Sequence, residues 1–361
     1  MFTAKAVFLV TRMRALPKPM ALTLEDIARL SQVSRSTVSR VINGDEKVNA
    51  ETRQRVQAVI QQYNYQPNQA ARRLAAGRTN VLGLVIPTRV GATFSDPYFS
   101  QVIQGVSNTC NEQDYSLMLW LSEPDHEQRV LQQIASNSLV DGVIVSFTLA
   151  DDPIVESLYR GQVPFVIIGH HPSLAINSVD LDHVEAARQA TQHLLERGYR
   201  RLATISGPQN QIAGQDRLKG YRLALEASGL VEDPALVVAG DFTEAGGYSA
   251  MQKLLPNRPE AVFAANDMMA AGAYRAIQEA GLKIPDEIVI VGFDDLPIAS
   301  QLNPPLTTIR QPIHRLGQLA VERLIEILRE PETGPRQIIL QPELLVRASS
   351  GNTLPRKGSS L

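Results

Sequence analysis

Two groups of residues in this chain have the types and spacing to do chemistry. The first is the run Ser34–Asn43, SRSTVSRVIN. Helical spacing puts Arg35, Ser36, Thr37, Ser39 and Arg40 outward and Val38, Val41 and Ile42 inward. Arginine offers paired donors to guanine O6 and N7, and small hydroxyls suit phosphate oxygens. Thr23, Ser34 and Asn43, at neighbouring helix ends, complete the DNA-facing set. The second group follows apolar runs: Asp96-Pro97-Tyr98-Phe99, Arg217, Phe242, Asn266-Asp267 and Asp294. Asn, Asp and Arg supply paired donors and acceptors for hydroxyls, and an aromatic face packs on the apolar face of a sugar. A few convergent polar groups with aromatic walls is the usual form of a small-molecule site. Each residue also has a plainer reading: Asn266 and Asp267 are good helix N-caps, and Phe242 suits a core.

The elements that must hold the first group are three short helices. Thr23 caps the first, with Asp26 three residues on, and Leu24, Ile27, Ala28 and Leu30 form its apolar face. Ser31-Gln32-Val33 makes a turn, Ser34 caps the second helix, and Gly44 stops it. Two helices joined by so short a turn form a helix-turn-helix with the second in the major groove. Asn49 caps a third helix whose Val56, Val59 and Ile60 close the core with Tyr63 and Tyr65. The plainer alternative is a three-helix domain whose exposed Arg and Ser are merely solvated. Past Pro67, Asn68 caps a short helix that ends at Gly77. Alone, a helix of that length is marginal, so it needs DNA or a second subunit. Arg72 and Arg73 suit phosphates, and Leu74 suits a wedge between base steps in the minor groove. A linker with a stray Leu is the alternative.

From Val81 the pattern changes to short apolar runs alternating with amphipathic helices. Strands are expected at 81–87, 116–121, 142–147, 164–168, 202–206, 235–239, 261–265 and 288–292. Strands alternating with crossover helices form parallel sheets, which bind ligands beyond the carboxyl ends of the strands. No GxGxxG, Walker A or GxSxG motif stands at a strand end, which weakens dinucleotide, NTPase and hydrolase readings. Asp180, Asp182, His183, His170 and His171 invite a metal reading. No third and fourth ligand with matching spacing follows, so no metal and no cofactor are expected. Trp120 reads as core or cleft wall.

The net charge of −2 hides an asymmetry: residues 1–80 hold 13 Lys/Arg against 5 Asp/Glu, and residues 81–361 hold 22 against 32. A basic end on an acidic body confines nucleic-acid affinity to that end. The single cysteine, Cys110, excludes an internal disulfide and reads as core. No run approaches the ~18 apolar residues of a membrane helix. The apolar stretch Ala6–Val10 is shorter than the ~7–15 residues a signal peptide needs. Residues 1–19 read as a disordered basic extension, with Met20 a second candidate start, and the expected location is cytoplasmic.

The motifs TLEDIARLSQVSRSTVSRVIN, NYQPNQAARRLAAGRTNVLGLVIP and the later ELLVRAS resemble the lactose/galactose-repressor family of bacterial transcription regulators. The likeness spans about nine-tenths of the chain. It implies an α/β fold: a three-helix helix-turn-helix head (20–66), a hinge helix and linker (67–79), and a periplasmic-binding-protein-like effector domain (80–348). That domain would have two lobes with doubly wound parallel sheets, 80–181 plus 310–340 and 182–309 plus 341–348. Residues 349–361 would be a disordered tail without a heptad, so a homodimer is expected, not a tetramer. The resemblance also places effector contacts at Tyr98, Phe99, Arg217, Phe242, Asn266 and Asp294. Purine-responsive members carry Arg and Thr where this chain has Gln211 and Ala213, which favours a sugar over a purine. Members usually have Asp-Asn where this chain has Asp182-His183. The expected function is a regulator, read as a repressor, that binds a palindromic operator in double-stranded DNA under a small-molecule effector. A plain solute-binding protein and a sugar-processing enzyme are the rivals.

Overall fold

A computed structural model describes residues 22–65, 78–87, 95–121, 134, 139–146, 149 and 153–351. The expectations for the N-terminal extension and Met20, for the hinge helix with Asn68, Arg72 and Leu74, and for residues 352–361 lie outside that set. The chain divides between Gly77 and Arg78 into two compact units.

The first unit is three helices, α1 (Leu24–Leu30), α2 (Arg35–Ile42) and α3 (Ala50–Gln62). Local chemistry starts each of them. Thr23 and Asp26 make a reciprocal capping box, Ser34 Oγ accepts from the Thr37 amide, and Asn49 Oδ1 accepts from the Thr52 amide. Gln32 turns the chain at φ 54° and Gly44 stops α2 at φ 76°. Ile27, Val38 and Val56 are fully buried, each contributing about 1.5–3 kcal/mol by leaving water. Two expectations fail here. Leu30 and Tyr63 are exposed. A core this small is closed by Ile27, Ala28, Val38, Val41 and Val56, so the far edge of each apolar stripe faces water. The inward place beside Leu30 goes to Ser31, whose hydroxyl is satisfied by the Ile27 carbonyl.

The second unit holds two six-stranded sheets. The first lobe contains β1 (Val81–Ile86), α4 (Pro97–Glu112), β2 (Ser116–Leu121), β3 (Gly142–Ser146), α5 (Pro153–Arg160), β4 (Phe165–Ile168) and β5 (Ser178–Leu181). The second contains α6 (His183–Glu196), β6 (Leu202–Ser206), α7 (Ile212–Ala227), β7 (Val237–Ala239), α8 (Glu244–Leu254), β8 (Ala261–Ala264), α9 (Asp267–Glu279), β9 (Val289–Asp294), α10 (Pro297–Gln301) and β10 (Thr307–Arg310). The chain then returns to the first lobe with α11 (Ile313–Arg329) and β11 (Gln337–Leu340), and ends in the second with β12 (Glu343–Leu345). The strand orders are β11-β5-β4-β3-β1-β2 and β12-β10-β9-β8-β6-β7. Every pairing is parallel except β10 with β12. Helices cover both faces of each sheet, so β1, β3, β6 and β8 are continuous apolar runs buried on both sides. Cys110 is buried in one core cluster of the first lobe, and Trp120 packs over Gly83 against another.

Four short strands went unforeseen: β5, β10, β11 and β12. SVDL (β5) and TTIR (β10) are broken by polar residues, and QIIL (β11) and ELL (β12) are short and half-exposed. The tail expectation also fails at its start. Ala348–Ser350 form a 3-10 turn in which Ser349 Oγ donates to the Ile290 carbonyl and accepts from the Thr307 amide. Both Ser349 and Ser350 are fully buried. A disordered reading rested on their polarity alone, whereas the strand ends around them satisfy each hydroxyl.

Helices α4 and α11 touch backbone to backbone at Gly105. A Cβ there would stand 2.2 Å from the His314 carbonyl oxygen. Gly105→Ala is expected to cost ~1–3 kcal/mol as an overpacking defect, read as a lower urea midpoint of the body. An unchanged midpoint would show that the two helices separate freely.

Candidate functional site

The carboxyl ends of the two sheets face a cleft. Its lining includes the six residues at which the resemblance implies effector contacts, Tyr98, Phe99, Arg217, Phe242, Asn266 and Asp294, and Asp96 beside them; of the other strand-end candidates, Pro97 and Asp267 do not line it. It also includes His170, Asp180, His183, Gln211 and Gln311.

Each lining residue is placed by the start or end of an element. Asp96 caps α4 by accepting from the Tyr98 amide at 2.9 Å, which turns Tyr98 and Phe99 into the cleft wall. Asn266 caps α9 through Oδ1 to the Met269 amide and holds the Phe242 carbonyl through Nδ2. Phe242 sits at φ 66°, a left-handed conformation stabilised by that second bond. Asp294 ends β9 at φ 109° and is buried. Its neighbour Asp267 lies behind it, accepting from Thr308 Oγ1 at 2.6 Å and from the Leu296 amide at 2.8 Å.

Arg217, on α7, is the centre of the cleft and is buried. Its Nε donates to His183 Nδ1 at 3.4 Å, Nη1 to the Ala265 carbonyl and Nη2 to Gln311 Oε1 at 3.3 Å. Nη2 also stands 3.4 Å from Asp294 Oδ1. The guanidinium lies 3.8 Å from the centre of the Phe293 ring and 5.5 Å from that of Phe242. A planar cation between two aromatic faces is held in one orientation. Burial pushes the Asp294 carboxyl up to about 7; Arg217 opposes the rise and Asp96 adds to it. Burial likewise raises Asp96 and Tyr98.

A second polar chain runs along the lip. His170 Nδ1 donates to Asp180 Oδ2 at 2.9 Å, and His183 Nε2 stands 3.3 Å from Asp180 Oδ1. Burial works to raise the Asp180 carboxyl, yet the two imidazoles beside it hold it at about 2. The other side of His170 is 3.6 Å from Asp216 on α7, so this ring spans the two lobes. The bond to Asp180 lifts the His170 pKa above the usual imidazole value, against the effect of burial. A raised imidazole pKa adds stability fully present below pH ~6.5, and that stability is lost as pH rises through the folded value. Thermal stability of the body should therefore fall as pH climbs past about 6.5, and His170→Asn should flatten that fall. Identical pH profiles for the two proteins would exclude the contact. Of the residues that suggested a metal, His170 and His183 are joined to Asp180, while His171 accepts from the Ser173 and Leu174 amides and Asp182 caps α6 through the Glu185 amide. Among the described residues, no group of three or more His, Cys, Asp or Glu side chains is arranged to hold an ion.

In the head, Arg35 and Arg40 project from α2 with 71% and 63% of their side chains exposed. Arg35 is paired with Glu25 at 3.0 Å and Arg40 with Asp45 at 3.8 Å. Exposed pairs of this kind are worth about 0–1 kcal/mol, so either arginine is cheaply released to another partner. Ser34, Ser36 and Thr37 form a hydroxyl cluster at the start of α2, with oxygens 2.8 and 2.9 Å from Ser34 Oγ. The Thr23 hydroxyl is shared with the cap of α1. Asn43 is exposed at the end of α2, and Ser39 is half-buried.

Residues 23–68 match the model of bacterial regulatory proteins of the lacI family, and residues 191–350 match a periplasmic binding protein-like domain. The regulator CelR of Thermobifida fusca is 38% identical over 332 residues, 91% of this chain and 98% of that protein. The chain belongs to the LacI family. A second relative, the ribose operon repressor of Escherichia coli K12, is 37% identical over 91% of this chain and 99% of its own length. Two solved structures cover 91% of this LacI-family chain and 99% of their own. They are a CelR–cellobiose complex, at 35% identity and TM-score 0.72, and the Lac repressor dimer bound to operator and the anti-inducer ONPF, at 28% and 0.82. The LacI-family head and the cleft together make this chain a DNA-binding transcription regulator. Among the described residues, no helix is long and apolar enough to cross a membrane.

Sequence reasoning missed His170, Asp180 and Gln311 as cleft residues. Asp180 and His170 gave a signal only as neighbouring His and Asp residues, which pointed to a metal and not to the cleft. Gln311 gave none, because it enters only where the chain crosses back after β10.

Proposed function

We propose that this regulator is a repressor that grips a palindromic operator as a homodimer in the cytoplasm, and that a sugar in the cleft controls the grip. The α2 residues Arg35, Ser36, Thr37, Ser39 and Arg40 read the major groove, with Thr23, Ser34 and Asn43 on the adjoining backbone. Asn68, Arg72 and Leu74 serve the central minor groove. The observation that carries the effector half is the Arg217–Asp294 pair, set between aromatic rings in a cleft walled by both lobes. A ligand touching Tyr98 and Phe99 on one lobe and Arg217, Phe242, Asn266 and Asp294 on the other changes the angle between them. The cleft then binds a sugar without converting it. The cellobiose complex of CelR and the ribose operon repressor support a sugar, as does Gln211 with Ala213 in place of a purine reader's residues.

Fluorescence anisotropy on a duplex selected from random DNA tests this reading, titrated with cellobiose, ribose and other sugars. We expect two chains per duplex and an operator affinity that changes with one sugar. A chain that binds sugar but ignores every duplex would instead be a solute-binding protein, and one that consumes the sugar would be an enzyme.

A further inference from the structure

We infer that the cleft selects an uncharged ligand rich in hydrogen-bond donors and rejects its phosphorylated or carboxylated counterpart, with Gln211 as a specificity-determining residue. This rests on the sugar reading and narrows it.

Two buried acceptors in the cleft are unfilled. Among the described residues, the buried side-chain atoms without a hydrogen-bond partner are Ser146 Oγ, Gln211 Oε1 and Asp294 Oδ1. Gln211 and Asp294 both line the cleft. Gln211 stands at the N-cap of α7 yet makes no capping bond, so its amide is not committed to the helix. Asp294 Oδ1 has only the 3.4 Å ion-pair approach of Arg217. A buried acceptor left without a donor costs ~1–3 kcal/mol. A hydroxyl or amine from the ligand satisfies it. A phosphate or carboxylate at neutral pH brings acceptors to face acceptors.

The cationic donors, by contrast, are already engaged. Arginine binds anions through its planar fork. Here each nitrogen of Arg217 already donates to a protein acceptor: Nε to His183, Nη1 to the Ala265 carbonyl and Nη2 to Gln311. His170 lies between Asp180 and Asp216. With Asp216 beside the lining, four carboxylates, Asp96, Asp180, Asp294 and Asp216, stand against one permanent cation, Arg217, and two imidazoles, His170 and His183. An added anion would meet this field in a partly dehydrated cleft, where repulsion is weakly screened. Neutral hydroxyls meet no such barrier.

Calorimetric titration of the full chain at pH 7.5 tests this with matched sugars. The set is glucose, glucose 6-phosphate and glucuronate; ribose and ribose 5-phosphate; cellobiose and galactose. At least one neutral sugar should bind. Any anionic partner of a binding sugar should be weaker by about tenfold or more, the value of one satisfied hydrogen bond. Gln211→Leu should weaken the binding sugar by about the same factor with an unchanged melting profile. Gln211→Arg, which adds a free cationic fork, should narrow the gap between a neutral sugar and its phosphate. A phosphorylated or carboxylated sugar that binds as tightly as its neutral parent overturns the inference and leaves the sugar reading standing. Wild-type affinity in Gln211→Leu overturns the role of Gln211. Silence from the entire set, charged and neutral, overturns the sugar reading itself.

Discussion

Arg217→Ala should weaken sugar binding by roughly 100-fold, ~3 kcal/mol, and abolish the effector response while operator binding without sugar persists. The side chain is buried and joins Asp294, Gln311, His183 and the Ala265 carbonyl at one point. Its loss removes the cation that orients Asp294 and empties the space between Phe242 and Phe293. Removing one partner of a buried ion pair typically costs ~3–5 kcal/mol of stability, so loss of fold is the rival outcome. The pH dependence separates the two. Asp294 already holds its proton up to about 7 because burial disfavours its charge. Without Arg217 that charge is less tolerated still, so the penalty is small where Asp294 is protonated and grows as pH rises from 6 to 8. Calorimetry at both pH values, with circular dichroism for folding, reads this directly. A folded Arg217→Ala protein that binds sugar with wild-type affinity would remove Arg217 from the site. A penalty that does not change with pH would break the proposed coupling to Asp294.

Arg40→Ala should lower affinity for the cognate operator by ~1–3 kcal/mol and relax base preference at one position. Arg40 is exposed on the outward face of α2, and among the described residues its charged partner is Asp45, 3.8 Å away. Little energy is needed to free it, and its paired donors suit guanine. Anisotropy against the selected duplex and a scrambled one makes the comparison. Equal losses on both duplexes would reduce Arg40 to a phosphate contact, with no part in reading sequence.

The head was legible because its determinants are local. Thr23, Ser34 and Asn49 each cap a helix within three residues of themselves, and Gly44 takes its positive φ within one turn. Such chemistry depends on neighbours in sequence, so a pattern is enough to find it. The limits appeared at Leu30 and Tyr63, where burial depends on how wide the partner surface is. A helical stripe marks which side is apolar but not how much of it another helix will cover.

In the second unit, the continuous apolar runs of β1, β3, β6 and β8 announced parallel strands covered on both faces. The short strands β5 and β10 did not announce themselves, because their polar residues are satisfied only by distant partners. Asp180 is held by His170 and His183, and Thr308 is held by Asp267.

By itself, then, the amino-acid sequence determined the helices of the head with their caps, the helix-turn-helix, the apolar strands and most of the strand-end residues from which a cleft is made. Tertiary structure alone decided which of these meet. Arg217 and Gln311 are 94 residues apart and touch because the chain crosses between lobes after β10. Asp294 has its raised pKa because folding removes water from it, and Gln211 Oε1 lacks a donor because the same folding closes around it. Burial and long-range pairing are properties of a packed whole, set by the sum of many distant contacts, and no local window of residues contains them.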